Sequence, residues 1–207
     1  MGETRHLIAQ ANANEIGESL HGVHGDQKGF ELNARQWYSY PWDYIYRPKN
    51  AEDADIIADF MEKAVCNGFI GYDTNMNKRD TLYNGLLQNG YKVDELNVNS
   101  ATDCSALAFC AIYAATNIPY PTQEYYNANP EDNVDIKKCP RIRHYEFYMK
   151  NYCADKFEKL GDKEELLANG YAGEEAEAIH ASYADTADNL KRGDILVALG
   201  KHIGVWI

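Results

Sequence analysis

The stretch from Cys104 to Thr116, C-S-A-L-A-F-C-A-I-Y-A-A-T, is apolar on nearly every side. A helix without a polar face is normally the buried helix of its domain, so the rest of the chain must supply the layers that cover it. Thr102 and Asp103 are good N-cap residues immediately before it, and Pro119 and Pro121 close it off. With 207 residues the chain has material for such a core, and a single domain over 1–207 is expected.

Around that helix the periodicity is mixed. Residues 4–20 read as a helix with Leu7, Ile8, Ala11 and Ile16 roughly on one side. A loop bearing Gly and His follows, and residues 30–48 read as an irregular aromatic segment with Trp37, Tyr38, Tyr40, Trp42, Tyr44 and Tyr46. Residues 1–50 are thus expected to form an N-terminal helix and an aromatic segment packed on the domain. Ala51 to Cys66 is a clear amphipathic helix, carrying Ile56, Ile57, Phe60, Met61, Ala64 and Val65, and Asn67-Gly68 stops it. Arg79 to Gln88 is a shorter helix. Residues 122–140 read as a polar loop, Ile142 to Tyr152 and Lys163 to Ala168 as helices, and 170–190 as helical in part. At the C-terminus the period changes: Asp194 to Leu199, a Gly200-Lys201 turn, and His202 to Ile207 predict a β-hairpin. Helices first and strands last predict an α+β fold with a small antiparallel sheet.

Charge narrows the partners. A formal charge of −12 and a pI near 4.9 argue against nucleic acid or an anionic membrane surface as the main partner. No apolar run is long enough to span a bilayer, and the polar N-terminus shows no classical signal peptide. The five cysteines (66, 104, 110, 139 and 153) are odd in number and contain no C-x-x-C pair, so neither a zinc ribbon nor a complete disulfide framework is indicated. The histidines lack zinc-site spacing. Asp73-x-Asn75-x-Asn77 opens like an EF-hand loop, but Lys78 and Asn84 stand where Gly and Glu are needed, so a polar turn is the better reading. No cofactor or metal is expected.

Three local features carry chemistry. Cys104 opens the buried helix, where the dipole favours thiolate and first-turn N–H groups are open to an oxyanion. Lys191-Arg192-Gly193-Asp194 leads into a strand, and His202 opens the next one, 98 residues after Cys104. Strand alternation puts His202, Gly204 and Trp206 on one face and Ile203, Val205 and Ile207 on the other. With the second set in the core, His202 projects beside a glycine that a helix N-terminus could approach. A thiol with a base in reach is the pair that cysteine acyl transfer needs. A lone apolar-helix cysteine is more often a packing residue, and Cys110 is read that way.

The ordered set T-D-C-S-A-L, L-K-R-G-D-I-L-V and H-I-G-V-W-I resembles the NlpC-type branch of papain-like cysteine peptidases, with CHAP amidases next nearest. Upstream, Gly25-Asp26-Gln27 through Glu31, Arg35 to Trp37-Tyr38, Pro41-Trp42, Arg47-Pro48, Gly71-Tyr72-Asp73 and Thr81-Leu82-Tyr83-Asn84 resemble phage and Firmicute cell-wall lysins. The resemblance implies a papain-like fold, in which a buried helix carrying Cys104 packs on the sheet carrying His202. It implies Cys104 as nucleophile, His202 as base and peptidoglycan as substrate, cut at a stem-peptide or muramoyl-peptide amide. Asp103 and Ser105 flank the nucleophile. With Tyr72, a candidate cleft hydroxyl, and Trp37 and Trp42, which either stack on sugars or pack on the core, they are the candidate binding residues. The product would be made in the cytoplasm and act on the wall, or travel on a virion.

The family also places a third polar residue, which orients the imidazole, on the strand after the His strand. This chain ends five residues after His202. Either it is a fragment, or another segment or subunit pairs with the C-terminal strand edge and supplies the orienter; self-association through that edge is one such route. A non-lytic acyltransferase or transpeptidase of the same fold, and a virion subunit with a degenerate hydrolase domain, are the rival readings.

Overall fold

The computed structural model describes residues 6–19, 21–28, 30–75, 77–119 and 141–207. The loop expected at 122–140 and Cys139 lie outside the described residues. In chain order the elements are β1 (Leu7–Ala11), β2 (Leu32–Gln36), β3 (Tyr44–Pro48), α1 (Ala51–Cys66), β4 (Ile70–Tyr72), α2 (Thr81–Gln88) and a 3-10 turn (Val93–Glu95). There follow β5 (Ser100–Thr102), α3 (Cys104–Thr116), α4 (Arg141–Tyr152), β6 (Phe157–Leu160), α5 (Lys163–Ala168), α6 (Gly173–Ala184), β7 (Ile195–Ala198) and β8 (His202–Trp206).

Both long helices begin where their caps dictate. The Asn50 side chain accepts from the Glu52 N–H at 3.0 Å, and Ile57, Phe60, Met61 and Ala64 then fall on one buried stripe of α1. In α3 every residue from Ser105 to Ile112 is buried, as an all-apolar helix requires. It ends at Asn117, whose left-handed φ of 56° lets its N–H return to the Tyr113 carbonyl. Among the described residues no helix is long and apolar enough to cross a membrane.

The main sheet has six strands in the order β2-β1-β8-β7-β3-β6, every neighbouring pair antiparallel. A separate parallel pair joins β4 to β5. Ile203, Val205 and Ile207 enter the main core with α1 and α3, while Trp206 joins Ile8, Trp42, Ile45, Leu196 and Ala198 in a second cluster on the opposite face. The expected alternation along β8 is therefore present, and the sheet is covered on both sides.

That double cover explains where sequence reasoning went astray. The helix expected over 4–20 is a strand at Leu7–Ala11 followed by turns, in which the Asn14 side chain accepts from the N–H groups of Ile16 and Glu18. Ile8, Ala9, Gln10 and Ala11 are all buried, Ile8 toward one cluster and Ala9 and Ala11 toward the other. A strand buried on both faces loses its alternation and mimics a helix stripe. Likewise the segment 30–48 is not irregular: it holds β2 and β3, so strands open the chain as well as close it. The consequence for the site is direct. β1 pairs with β8 through Ile8↔Trp206 and Ala9↔Val205, filling the edge that the sequence had left open.

Candidate active site

Asp103 builds the start of α3. Its backbone is extended, one carboxylate oxygen accepts from the Ala106 N–H and the Ser105 hydroxyl, each at 2.7 Å, and the other pairs with Arg79 at 3.0 Å. Asp103 and Ser105 are both buried, so these side chains cap and brace the helix rather than line a surface. Capping places Cys104 as the first helical residue. Its thiol is free, and the main-chain amides of Ile203, Ser105 and Cys104 itself favour its charged form. Cys104 packs against the main core that Ile203 of β8 also enters.

The expected thiolate does not follow. Burial first, and the Asp103 charge second, push the Cys104 thiol up to about 12, and the three amides only partly oppose them. Although the residue keeps some accessible surface, the sulfur is packed among protein atoms, and desolvation outweighs the helix dipole. Burial is the first cause that raises the pKa values of Tyr38, Tyr40 and Tyr72. Tyr72 is buried on β4.

His202 is 6% exposed, and burial alone holds its pKa down to about 4. Its Nε2 lies 2.7 Å from Oε1 of Gln10, a residue of β1 with no exposed surface. The Tyr38 hydroxyl donates to the same Oε1 at 2.9 Å, and Gln10 Nε2 donates to Oδ1 of Asn33 on β2 at 3.2 Å. Tyr40 meets the imidazole edge-on at 5.8 Å between ring centres, and Trp42 lies tilted at 5.9 Å. Trp42 is buried behind the imidazole, and Trp37 is half-buried at the edge of the same cluster. At Gly204 the nearest groups come from β1 and the aromatic connection: a Cβ there would lie 2.6 Å from Ile8 Cγ2 and 3.7 Å from the Trp42 ring. Gln10, Asn33, Tyr38 and Tyr40 escaped sequence reasoning. The signal for Gln10 was available only once β1 is a strand, since a polar residue buried in a central strand must find a partner.

The Lys191-Arg192-Gly193-Asp194 motif is scaffolding. Asp194 is buried and takes a two-pronged bond from Arg47 of β3 at 2.9 and 2.6 Å, with the Lys191 N–H at 2.8 Å. Arg192 reaches Asp59 and Glu62 of α1. Gly193 has φ +85°, and a Cβ there would stand 2.5 Å from the Ala54 carbonyl oxygen. These contacts lock the entrance to the β7–β8 hairpin against α1. The EF-like stretch is a pair of side-chain turns, Asp73 accepting from the Asn75 N–H at 2.7 Å and Asn75 from Asn77 at 3.0 Å, with the Lys78 ammonium 3.3 Å from the second Asp73 oxygen. Among the described residues no group of three or more His, Cys, Asp or Glu side chains gathers as a metal site.

The frame is α+β, with an antiparallel sheet and helices; Cys104 opens a helix and His202 opens a central strand. The chain belongs to the endolysin-like domain family, whose model matches residues 8–129, more than half of its length. That membership suggests a cell-wall lytic function. The match spans β1 to α3 and includes Gln10, Tyr38, Tyr72 and Cys104, and it stops before His202. No curated protein and no solved structure matches the chain significantly.

Proposed function

We propose that the protein is a peptidoglycan hydrolase that cleaves a stem-peptide or muramoyl-peptide amide by cysteine–histidine acyl transfer on a papain-like, NlpC-type scaffold. What supports this reading is the Asp103-capped helix start that presents Cys104, in a helix packed on the sheet whose central strand opens at His202. Family membership supplies the wall as substrate. With a neutral thiol and a neutral imidazole at rest, His202 takes the thiol proton as sulfur attacks the carbonyl, rather than beforehand. The developing oxyanion is met by main-chain N–H groups around Cys104. His202 then returns its proton to the leaving amine, and water, deprotonated by the same imidazole, releases the acyl group from sulfur. No cofactor enters these steps.

The test is digestion of purified cell walls, followed by mass analysis of the soluble fragments, with Cys104→Ala and His202→Ala as controls. Newly exposed amines from the parent alone are expected. Equal digestion by either folded variant would overturn the mechanism, and newly cross-linked fragments would identify the transpeptidase alternative. The structural-subunit alternative rested on an imidazole without a polar partner, and the Gln10 contact removes that support.

A further inference from the structure

The hydrogen bonds leading to His202 have a direction that can be read from one end. The Phe30 carbonyl can only accept, so the Asn33 amide nitrogen, 3.0 Å away, donates to it. Asn33 Oδ1 therefore faces Gln10 and accepts from Gln10 Nε2. Gln10 Oε1 is left facing His202 and Tyr38, and an amide oxygen has two lone pairs to accept both. His202 Nε2 must then carry a proton, and Nδ1 must carry the lone pair. Every step follows from the one before it, beginning with a backbone oxygen that has no second role.

We propose that Gln10 is the positioning residue of this site: through Oε1 it fixes the His202 ring and its Nε2–H tautomer, leaving Nδ1 as the proton acceptor for Cys104. The proposal rests on the cysteine–histidine reading above and assigns the orienting role to the N-terminal strand. A plain structural glutamine would need partners, but not one on the imidazole. Gln10 holds the ring by geometry, without charge. The groups seen against the imidazole are Gln10 from β1 and Tyr40 and Trp42 from the β2–β3 connection, with Tyr38 and the Arg35 guanidinium 4.1 Å above its ring lying beyond Gln10. None is a carboxylate.

Nitrogen-15 spectra of the imidazoles at neutral pH, recorded on the full chain carrying Cys104→Ala, read the tautomer without any catalysis. A protonated Nε2 and bare Nδ1 on His202 are expected; a protonated Nδ1 would overturn the proposal. Gln10→Leu should mix the two tautomers and, with Cys104 restored, slow wall digestion roughly 100-fold, the scale of a general base put out of place. An unchanged tautomer and rate in that variant would overturn it. Gln10→Glu keeps the acceptor and adds a charge that favours imidazolium, so the acid limb of its pH–rate profile should move upward while the rate at high pH recovers. That shift does not depend on the leucine variant folding, and a profile identical to the parent's would count against the proposal. If the parent itself cleaves no wall, the hydrolase reading fails, whereas the tautomer of His202 still decides the role of Gln10.

Discussion

At Cys104 a helix N-terminus and a protein interior act on the same sulfur with opposite signs. A helix dipole contributes about 0.3–1 kcal/mol at an exposed terminus. Burial pushes the thiol the other way, and Asp103 adds a negative charge beside it, for a pKa of about 12. The ultraviolet absorbance of thiolate, taken as the difference between the parent and Cys104→Ser, should therefore be absent near neutral pH and emerge only at the alkaline end. A thiolate already present at neutral pH would contradict this. Activity has the opposite limb. Protonation occupies the Nδ1 lone pair, so digestion should be lost as the pH falls through about 4, where burial has placed the imidazole. Asp103→Asn separates the two duties of that residue. An amide oxygen still caps Ala106, but the charge that raises the thiol is gone, so Cys104 should label with iodoacetamide several-fold faster at mildly alkaline pH. Losing the charge opposite the mostly buried Arg79 should cost about 1–4 kcal/mol in urea unfolding. Labelling no faster than in the parent would show that the Asp103 charge does not control the thiol.

Between elements, the site depends on how closely β1 approaches β8. Gly204 permits that approach, since a Cβ would meet Ile8 Cγ2 at 2.6 Å. Gly204→Ala should destabilise the fold by about 1–3 kcal/mol, the usual cost of overpacking, and lower activity by moving Gln10 relative to His202. In an Ile8→Ala background the same substitution should cost less, because the clashing methyl group is gone. Strict additivity of the two substitutions in urea unfolding would show that the contact is not the cause.

For the whole molecule, β1 near one end of the chain and β8 near the other meet in the middle of the sheet, and Gln10 touches His202 only because they do. The family match, 8–129, contains the thiol but not the imidazole. A fragment of residues 1–129 lacks β6, β7 and β8, so β1 keeps only β2, β3 keeps no neighbour, and one wall of the main core is missing. It should show no cooperative urea transition by circular dichroism, in contrast to the full chain. A sharp transition with the parent's midpoint would mean that the matched region folds independently.

The helices α1, α3 and α5, and the β7–β8 hairpin, were legible from local rules alone. Caps, 3.6-residue periodicity and turn residues act within a few positions, and Asn67-Gly68, Asp103 and the Gly200-Lys201 turn state their roles in sequence. Cys104 as the opening residue of the buried helix and His202 as that of the last strand were legible as well, through the Asp103 cap and the turn before β8. Tertiary structure decided the rest. Whether Leu7–Ala11 is a helix or a strand depends on what covers its two faces, and those neighbours come from β8 and the aromatic connection. The protonation state of Cys104 depends on how many protein atoms replace water around the sulfur, a quantity no spacing encodes. The partner of His202 lies 192 positions away and became visible only when the sheet order brought β1 beside β8.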